Sequence, residues 1–246
     1  MTVEYGQQHA EVYDLVFEGR GKDFEGEAQR LTELVRARHA DADSLLDVAC
    51  GTGAHLKILA KLFGHVEGVE MAPAMQKLAE ERLPGVVVHE ADMRTFDLGR
   101  RFDAVICVGN SVACLDSTKD LNAAVARMAA HLEPTGVLVM EPWFFSADFL
   151  DGRVDGHLHR QDGRVVSQLT RFAKEGGRIR MDARFVVADA TGFHQFDETL
   201  SARAFPRAAY TEALREAGLD AAFVRGFTWA DGRPTAPGLF VGTRRA

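Results

Sequence analysis

The sequence predicts a doubly wound α/β fold: a mostly parallel sheet of seven strands, with an antiparallel β insertion after the fifth strand. Three observations lead to this prediction. Short apolar runs alternate with helical stretches from about residue 27 to residue 141, the alternation ends at Glu141, and a period-two pattern follows over residues 164–189. Strand, helix and strand at this spacing are typical of βαβ units, which build a parallel sheet covered by helices on both faces.

Five apolar runs provide the first strands of the predicted sheet. They occupy residues 44–49, 65–70, 85–90, 102–108 and 136–141. Patterns with the period of a helix lie before and between them, at residues 27–39, 55–63, 72–83 and 121–132. Right-handed crossover connections are expected between these parallel strands.

The last hundred residues predict an insertion and then a return to the main sheet. Residues 164–189 alternate on both sides of the glycine pair at 176–177, which is typical of an antiparallel hairpin, and residues 193–205 predict one more strand. A helix is expected to open on Pro206 and to end at Gly218. We expect one domain over residues 1–246. The β insertion is placed at residues 144–204, and the closing strands of the main sheet at residues 220–226 and 238–245.

Composition favours a cytoplasmic protein that acts on small molecules. The formal net charge is -7 and no dense block of Lys and Arg is present, which disfavours nucleic acid as a partner. No apolar segment reaches the roughly 20 residues needed to span a membrane, and the first residues lack the pattern of a secretory signal. The three cysteines lie in or beside apolar runs, as expected for buried thiols in a reducing compartment.

A paired-glycine turn at residues 51–53 follows the first apolar run. A Walker-type phosphate loop would end in Gly-Lys-Ser/Thr, but Ala54 and His55 follow here, which excludes it. A dinucleotide loop would have a third glycine where Leu56 stands, which disfavours NAD and FAD. A turn that binds no ligand stays open as an alternative.

Acidic residues surround this turn at the expected carboxyl edge of the sheet. Asp47 lies in the first run, Glu70 ends the second and Asp92 follows the third. Ligands of doubly wound sheets bind at this edge, where the strand order reverses. Negative charge there would repel a pyrophosphate and would suit a ligand that carries an amine and a sulfonium. An acid that ends the second strand can accept both hydroxyls of a ribose.

These residues resemble the class I S-adenosylmethionine-dependent methyltransferases, which have a Rossmann-like sheet. The resemblance rests on DVACGTG at 47–53, GVE at 68–70 and ADM at 91–93, and it covers residues 44 to about 141. It implies S-adenosylmethionine as cofactor. The paired glycines would lie against its methionine part, Glu70 would hold the ribose, and Asp92 and Met93 would frame the adenine. The cofactor residues implied so far are Asp47, Ala49, Gly51, Gly53, Glu70, Met71, Asp92, Met93 and Cys107.

Over nearly its whole length the chain also resembles the amino-sugar N,N-dimethyltransferases of macrolide pathways. The matching segments are AEVYDLVFEGRGKDFEGEA at 10–28, EPWFFSADFLDG at 141–152, the β insertion and GLFVG at 238–242. This resemblance implies that residues 1–26 form a lid, hereafter the lid segment. Tyr13 and Lys22 would reach the methionine carboxylate and Tyr5 would close over the acceptor. Packing for Tyr13 and solvation for Lys22 are the alternatives.

Two positions differ from that resemblance. Those enzymes have a histidine where Cys114 stands, and an arginine where Pro237 stands. Arg178 or Arg233 could supply the missing charge to a sugar-nucleotide diphosphate. Since a hydroxyl acceptor usually needs a base and an amine does not, the missing histidine favours an amine.

The acceptor is expected beside the ends of the fourth and fifth strands. Glu141 would steady an ammonium group, the rings of Trp143 and Phe144 would flank it or belong to the core, and His9 is the replacement base for a hydroxyl acceptor. No third ligand stands near the pair His157 and His159, so no metal is expected. The predicted catalytic and substrate residues are Tyr5, His9 and Glu141, and Asn110, Cys114, Trp143, Phe144 and Arg178.

The sequence therefore predicts a methyltransferase that uses S-adenosylmethionine and N-methylates an amino sugar, free or nucleotide-linked, in antibiotic or secondary metabolism. Two alternatives stay open: O- or C-methylation of another small metabolite, and binding of S-adenosylmethionine without catalysis. Because exposed strands are usually covered by another element or by another chain, the β insertion predicts a homodimer.

Overall fold

A computed structural model describes residues 6–145 and 151–244 of the chain. Seven strands form the main sheet, in the order β10-β11-β5-β4-β1-β2-β3, and only β11 runs antiparallel to its neighbours. This confirms the predicted fold class. The strands are β1 Ser44–Val48, β2 His65–Glu70, β3 Val87–Glu90, β4 Phe102–Cys107, β5 Leu132–Met140, β10 Leu219–Val224 and β11 Leu239–Arg244.

Six α-helices accompany the sheets in the described part of the chain. They are α1 Gln7–Gly19, α2 Phe24–Arg36, α3 Ala54–Leu59, α4 Pro73–Arg82, α5 Thr118–Ala130 and α6 Arg207–Glu216. A short 3-10 turn, Ser111–Cys114, follows β4. Within residues 6–145 and 151–244, none of the helices has the length and apolar character required to cross a bilayer.

A second, four-stranded antiparallel sheet lies between the fifth strand and α6. Its strands are β6 Val154–Gln161, β7 Arg164–Glu175, β8 Arg178–Asp189 and β9 Gly192–Ala202, paired in that order. The hairpin predicted at 164–189 and the strand predicted near 193–205 are confirmed. The sequence pattern had not identified β6.

Alternation along the buried strands separates two hydrophobic cores. On β1, Leu46 and Val48 belong to one cluster, together with residues of α5 and α6 such as Leu121 and Leu214. Leu45 belongs to the other cluster, which includes residues of α2 and α3. Because successive strand side chains point to opposite faces, the sheet is covered by helices on both faces, as a doubly wound fold requires.

The order of the strands reverses at β1. This strand pairs with β2 on one side and with β4 on the other, and both pairings are parallel. The loops after β1, β2 and β4 therefore meet at one edge of the sheet, which is where ligands bind in such folds.

Helix α1 packs against the second sheet. Val12 and Val16 form a small core with Val166, Phe185 and Val187 on the inner face of that sheet. Residues 7–19 of the predicted lid segment thus form a helix that lies between the insertion and helix α4 of the main sheet.

Several predicted helix boundaries differ from the structure; the helix predicted at 55–63, for example, ends at Leu59. Two of the differences have a physical reason. Helix α2 begins at Phe24 rather than at residue 27, because the side chain of Asp23 caps it by accepting a hydrogen bond from the Gly26 amide at 2.9 Å. The helix predicted to reach residue 132 ends at Ala130, since Leu132 already pairs with Phe102 as the start of β5.

We predict that Gly53→Ala destabilises the fold more than Gly99→Ala. Both glycines have positive φ, 74° and 64°, so each substitution costs roughly 1–2 kcal/mol of backbone strain. Only at Gly53 would the new Cβ lie 3.1 Å from Ala79 Cβ and from Leu83 Cδ1, which adds about 1–3 kcal/mol. Urea unfolding measures both losses, and equal losses would contradict the packing role assigned to Gly53.

Candidate active site

A deep cleft opens at the carboxyl edge of the main sheet, with a volume of about 1170 Å³ including its solvent-filled mouth. Its walls come from the glycine turn, the loops after β2, β3 and β4, and the lid segment. Of the predicted cofactor residues, all but Gly53 and Cys107 line it. Those that do are Tyr13, Lys22, Asp47, Ala49, Gly51, Glu70, Met71, Asp92 and Met93.

The two glycines of the turn have different structural roles. Both have positive φ, and so does Ala49, at 59°. A Cβ on Gly51 would meet nothing within 4 Å, because it would point into the cleft, whereas Gly53 is packed against α4. Gly51 therefore leaves the backbone open to a ligand, and Gly53 serves the contact between turn and helix.

The carboxylate of Glu70 holds the turn to the end of β2. Its oxygens accept hydrogen bonds from three backbone amides: Gly51 at 2.8 Å, Met71 at 2.9 Å and Ala72 at 2.8 Å. Burial raises the pKa of Glu70, although these amides stabilise the charged form. The predicted ribose contact of Glu70 stays a prediction, and its remaining oxygen lone pairs are compatible with it.

Asp47 is a second buried carboxyl on the same floor. Its side chain is almost fully buried, with a relative exposure of 1%. Burial, and then the charge of Glu70, raise the pKa of Asp47 to about 8. Near neutral pH the ligand-free cleft holds Asp47 largely protonated, and a bound cation would favour its ionised form.

Asp92 and Arg94 form an ion pair on the wall where the adenine was predicted. The Arg94 Nε lies 3.0 Å from both carboxylate oxygens of Asp92, and this contact lowers the pKa of Asp92. Arg94 lines the cleft beside Met93 and was not singled out from the sequence.

Lys22 enters the cleft paired with a buried glutamate. The Lys22 Nζ lies 2.8–2.9 Å from the two carboxylate oxygens of Glu27. His55 Nε2 lies 2.8 Å from one of them. Although burial raises the pKa of Glu27, its bonds with His55 and Lys22 outweigh this and leave the pKa lowered. Lys22 is thus fixed at the cleft wall, where it can meet the carboxylate of a ligand. The sequence pattern does not indicate a role for Glu27, because this residue lies within a regular amphipathic helix.

A second set of contacts joins α1 to the glycine turn. The hydroxyl of Thr52 donates to Asp14 Oδ1 at 2.6 Å, and Arg82 of α4 binds both Asp14 and Thr52. Helix α1 is therefore held to the cofactor side of the cleft by polar bonds as well as by the apolar packing of Ala10 on Ala72 and Met75.

Among the predicted acceptor residues that the structure describes, only Cys114 lines the cleft directly. Burial raises the pKa of Cys114 to about 11, so it is a neutral thiol at physiological pH. Glu141 lies behind the wall with no exposed surface and accepts hydrogen bonds from the Gly109 amide and the Thr235 hydroxyl, both at 2.8 Å. Asn110 adopts a φ of 65° between two residues that do line the cleft, Gly109 and Ser111.

The other predicted residues lie away from the cleft lining or outside the described chain. His9 pairs with Glu198 and packs on Phe185, and burial lowers its pKa to about 4. Arg178 is bound to Asp116 at 2.6 Å and to Ser201, so its guanidinium already has partners. Their predicted roles stay predictions.

Three positions complete the set of predicted site residues. The rings of Trp143 and Phe144 lie 5.3 Å apart, and neither ring lines the cleft. Cys107 is fully buried beneath the floor. Tyr5 falls outside the described residues.

Comparison with known proteins identifies the family. Residues 45–136 match the family described as a methyltransferase domain. The chain is 44% identical over 97% of its length to the dTDP-3-amino-3,4,6-trideoxy-alpha-D-glucopyranose N,N-dimethyltransferase of Streptomyces venezuelae, and covers 98% of that protein. It is 41% identical over 98% of its length to the dTDP-4-amino-2,3,4,6-tetradeoxy-D-glucose N,N-dimethyltransferase of Saccharopolyspora spinosa, and covers 94% of it.

A solved structure agrees with this assignment. CalS10, an amino pentose methyltransferase from Micromonospora echinaspora involved in calicheamicin biosynthesis, was solved with S-adenosylmethionine bound. The two chains are 48% identical, with a TM-score of 0.85 over 95% of this chain and 97% of the other. The chain belongs to the sugar N,N-dimethyltransferase family.

It is therefore an enzyme, an S-adenosylmethionine-dependent methyltransferase that acts on a small molecule, as predicted. The residues of the cleft fit this cofactor. Gly51 leaves open backbone where a side chain would intrude, and two buried carboxyl groups lie where a cation can offset their desolvation. When bound, the cofactor supplies a methyl group that its sulfonium has already activated.

We predict that Asp47 makes cofactor binding depend on pH. Below about pH 8 the ligand-free enzyme holds Asp47 protonated, and above it the carboxylate is charged and attracts a cationic ligand. The ratio of wild-type affinity to D47N affinity for S-adenosylmethionine should rise from about pH 6 to about pH 9.

The stability of the ligand-free enzyme should fall with rising pH, whereas the contribution of Asp47 to cofactor affinity rises. Because the folded-state pKa of Asp47 is raised above its ordinary value, the ligand-free enzyme loses stability as pH rises from that value through about 8, and D47N should lose less over the same range. Calorimetric titration and denaturant unfolding across this range measure both effects. A pH-independent affinity ratio would contradict the role of Asp47.

Proposed function

We propose that the enzyme N-methylates, to the N,N-dimethyl product, an amino sugar joined to a nucleoside diphosphate, in a pathway of antibiotic or other secondary metabolism. The main support is 41–44% identity over nearly the full length to enzymes named for that reaction. These relatives act on 3-amino and 4-amino sugars respectively, so their names leave the position of the amine on the sugar open. The free thiols of Cys50, Cys107 and Cys114 are consistent with a cytoplasmic location.

The side chains beside the cleft favour an amine over a hydroxyl acceptor. Cys114, with a pKa of about 11, is not ionised near neutral pH. His9, with a pKa near 4, is neutral but only weakly basic. Hydroxyl methylation usually needs a positioned base, whereas an amine presents its own lone pair and can lose its proton to water. Neither side chain is suited to be that base, which supports N-methylation.

The enzyme's own contribution is alignment in a site that excludes water. Helix α1 is fixed by the contacts of Asp14 with Thr52 and Arg82, and Glu141 fixes the loop at Gly109. Holding the amine in line with the methyl group can contribute roughly 7–11 kcal/mol to lowering the barrier. Burial raises the pKa of Glu141, and Glu141 would act on the acceptor through the position of this loop.

The proposed acceptor class can be tested with the purified chain. It should convert a nucleoside-diphosphate amino sugar to products with one and then two added methyl groups, both on nitrogen by NMR. The matching sugar with a hydroxyl in place of the amine should stay unmodified. His9→Gln should keep its turnover number within about tenfold, since loss of a general base would cost about 10²–10⁴. A methyl group on oxygen or carbon would contradict the proposal.

We further propose that the enzyme is a homodimer that buries the outer face of the second sheet. Four apolar side chains on that face are more than half exposed: Val154 at 68%, Leu158 at 59%, Leu169 at 55% and Phe193 at 83%. Paired positions in the sheet place them on the side opposite α1. Exposed apolar patches of this kind are typical of protein–protein contacts.

We predict that the double variant L158K/L169D is monomeric while the wild type is dimeric. Charge at these two positions would have to lose its hydration on association. Light scattering at micromolar concentration measures the masses. The control is Val87→Lys, which changes a side chain that is 52% exposed on the edge strand of the main sheet. A monomeric wild type would contradict the proposed dimer.

A further inference from the structure

Three ionisable side chains form a buried network at the wall of the cleft that α2, α3 and the residues just before α2 provide. The carboxylate of Glu27 lies 2.8–2.9 Å from Lys22 Nζ and 2.8 Å from His55 Nε2. The side chains of Lys22, Glu27 and His55 have relative exposures of 6%, 3% and 10%. One buried carboxylate is thus shared by two nitrogen bases.

Aromatic rings flank this network, and its two nitrogen bases line the cleft. Lys22 Nζ lies 5.7 Å from the centre of the Phe24 ring and 6.0 Å from that of Phe227. The Phe24 ring also packs edge-on against His55, with ring centroids 5.0 Å apart. Lys22 and His55 both line the cleft. An unbalanced charge in these apolar surroundings would be poorly screened by solvent and therefore costly.

The basic side chains of the cleft differ in how many carboxylates they already bind. The described lining contains three of them, Lys22, His55 and Arg94. Arg94 alone has two carboxylates, Asp92 at 3.0 Å and Asp120 at 3.6 Å. Lys22 and His55 share a single one. S-adenosylmethionine has one anionic group, the carboxylate of its methionine part, and this group fits the wall where bases outnumber carboxylates.

The charges of the network balance without a ligand when His55 is neutral. Burial raises the pKa of Glu27, but its bonds with His55 and Lys22 leave the pKa lowered, so Glu27 is ionised and balances Lys22. An ionised carboxylate only accepts hydrogen bonds. His55 Nε2 therefore carries the hydrogen of the bond to Glu27, and Nδ1 is the atom that would take up a further proton.

Other ionisable groups belong to the same cleft or border it. Burial raises the pKa of three carboxyl groups, those of Asp47, Glu70 and Glu141. Asp14 and Arg82 are paired with each other beside the glycine turn, and Lys57 on α3 is exposed. The ammonium group of a ligand would act on these carboxyl groups whatever its carboxylate does. Their proton changes therefore have to be separated from that of His55 by the choice of ligand.

We propose that His55 takes up a proton at Nδ1 when the carboxylate of the cofactor binds beside Lys22. The step transfers one proton from solvent to a neutral imidazole, and no other covalent bond forms or breaks. The imidazolium balances the charge of the ligand carboxylate, while Glu27 continues to balance Lys22. Glu27 is a positioning residue that holds both bases. This inference concerns the cofactor and is independent of the acceptor proposed above.

Calorimetric titration of the full chain tests the proposal, in buffers that differ in their ionisation enthalpy, because the heat then reports the number of protons exchanged. The probes are S-adenosylhomocysteine and its decarboxylated analogue, which keeps the ammonium group but lacks the carboxylate. Proton changes that the ammonium causes are common to both probes. At about pH 7.5 the wild type should take up about 0.5–1 proton more with S-adenosylhomocysteine than with the analogue.

Two variants assign this proton to the network. His55→Gln should reduce the difference between the probes to about zero and weaken S-adenosylhomocysteine binding by roughly tenfold, because an ionic hydrogen bond is lost. Its affinity for the decarboxylated analogue should stay within about threefold of the wild type, which shows that the variant folds. Glu27→Gln leaves the charge of Lys22 to balance the ligand carboxylate. This variant should also show no difference in protons, yet bind S-adenosylhomocysteine more tightly than H55Q does.

The matched control is His65→Gln, which removes a histidine that bonds to Glu67 at 2.8 Å and does not line the cleft. It should keep the proton difference of the wild type. Equal proton numbers for the two probes in the wild type, or an undiminished difference in H55Q, would overturn the proposal. Because binding rather than turnover is measured, neither result bears on which acceptor the enzyme methylates.

Discussion

The architecture of the site depends on one buried interaction, the bond between the carboxylate of Glu70 and the amide of Gly51. It joins the end of β2 to the turn after β1, at the point where the strand order reverses. A carboxylate that accepts backbone amides can stay ionised despite burial. Burial raises the pKa of Asp47 on the same floor, and the charge of Glu70 raises it further. One bond thus shapes the turn and sets the electrostatic character of the cleft.

This arrangement makes the ligand-free enzyme less stable than its sheet alone would allow. Two carboxyl groups are desolvated at the floor, and Ala49 is held at positive φ without being glycine. Both features carry a free-energy cost, and strain of this kind is typical of functional sites. A cation that binds the floor offsets part of the cost, so cofactor binding and folding stability are linked. Binding of this cation also explains the glycine at position 51, since the absence of a side chain leaves room for the ligand beside the turn.

Sequence patterns predict the sheet and much of the cleft lining, because both depend on short segments of the chain. The strands follow from apolar runs, and the glycines and acids follow those runs directly. Contacts between distant parts of the chain leave no such signal. Glu27 meets His55 across 28 residues, and Arg178 meets Asp116 across 62. Strand β6 escaped prediction because glycine and histidine interrupt its pattern. Arg178 shows the same limit, because no local pattern indicates that Asp116 pairs with it.

The side of the cleft where we propose that the acceptor binds is built mainly from contacts between residues that lie far apart in the sequence. Helix α1 contacts both sheets of the protein. One side of the helix packs on the second sheet through Val12 and Val16, and another side reaches the glycine turn of the main sheet through Asp14. The cofactor floor belongs to the main sheet alone. Under the proposed function, helix α1 and the insertion can therefore vary with the acceptor without altering the bonds that Glu70 makes to the glycine turn and to the end of β2.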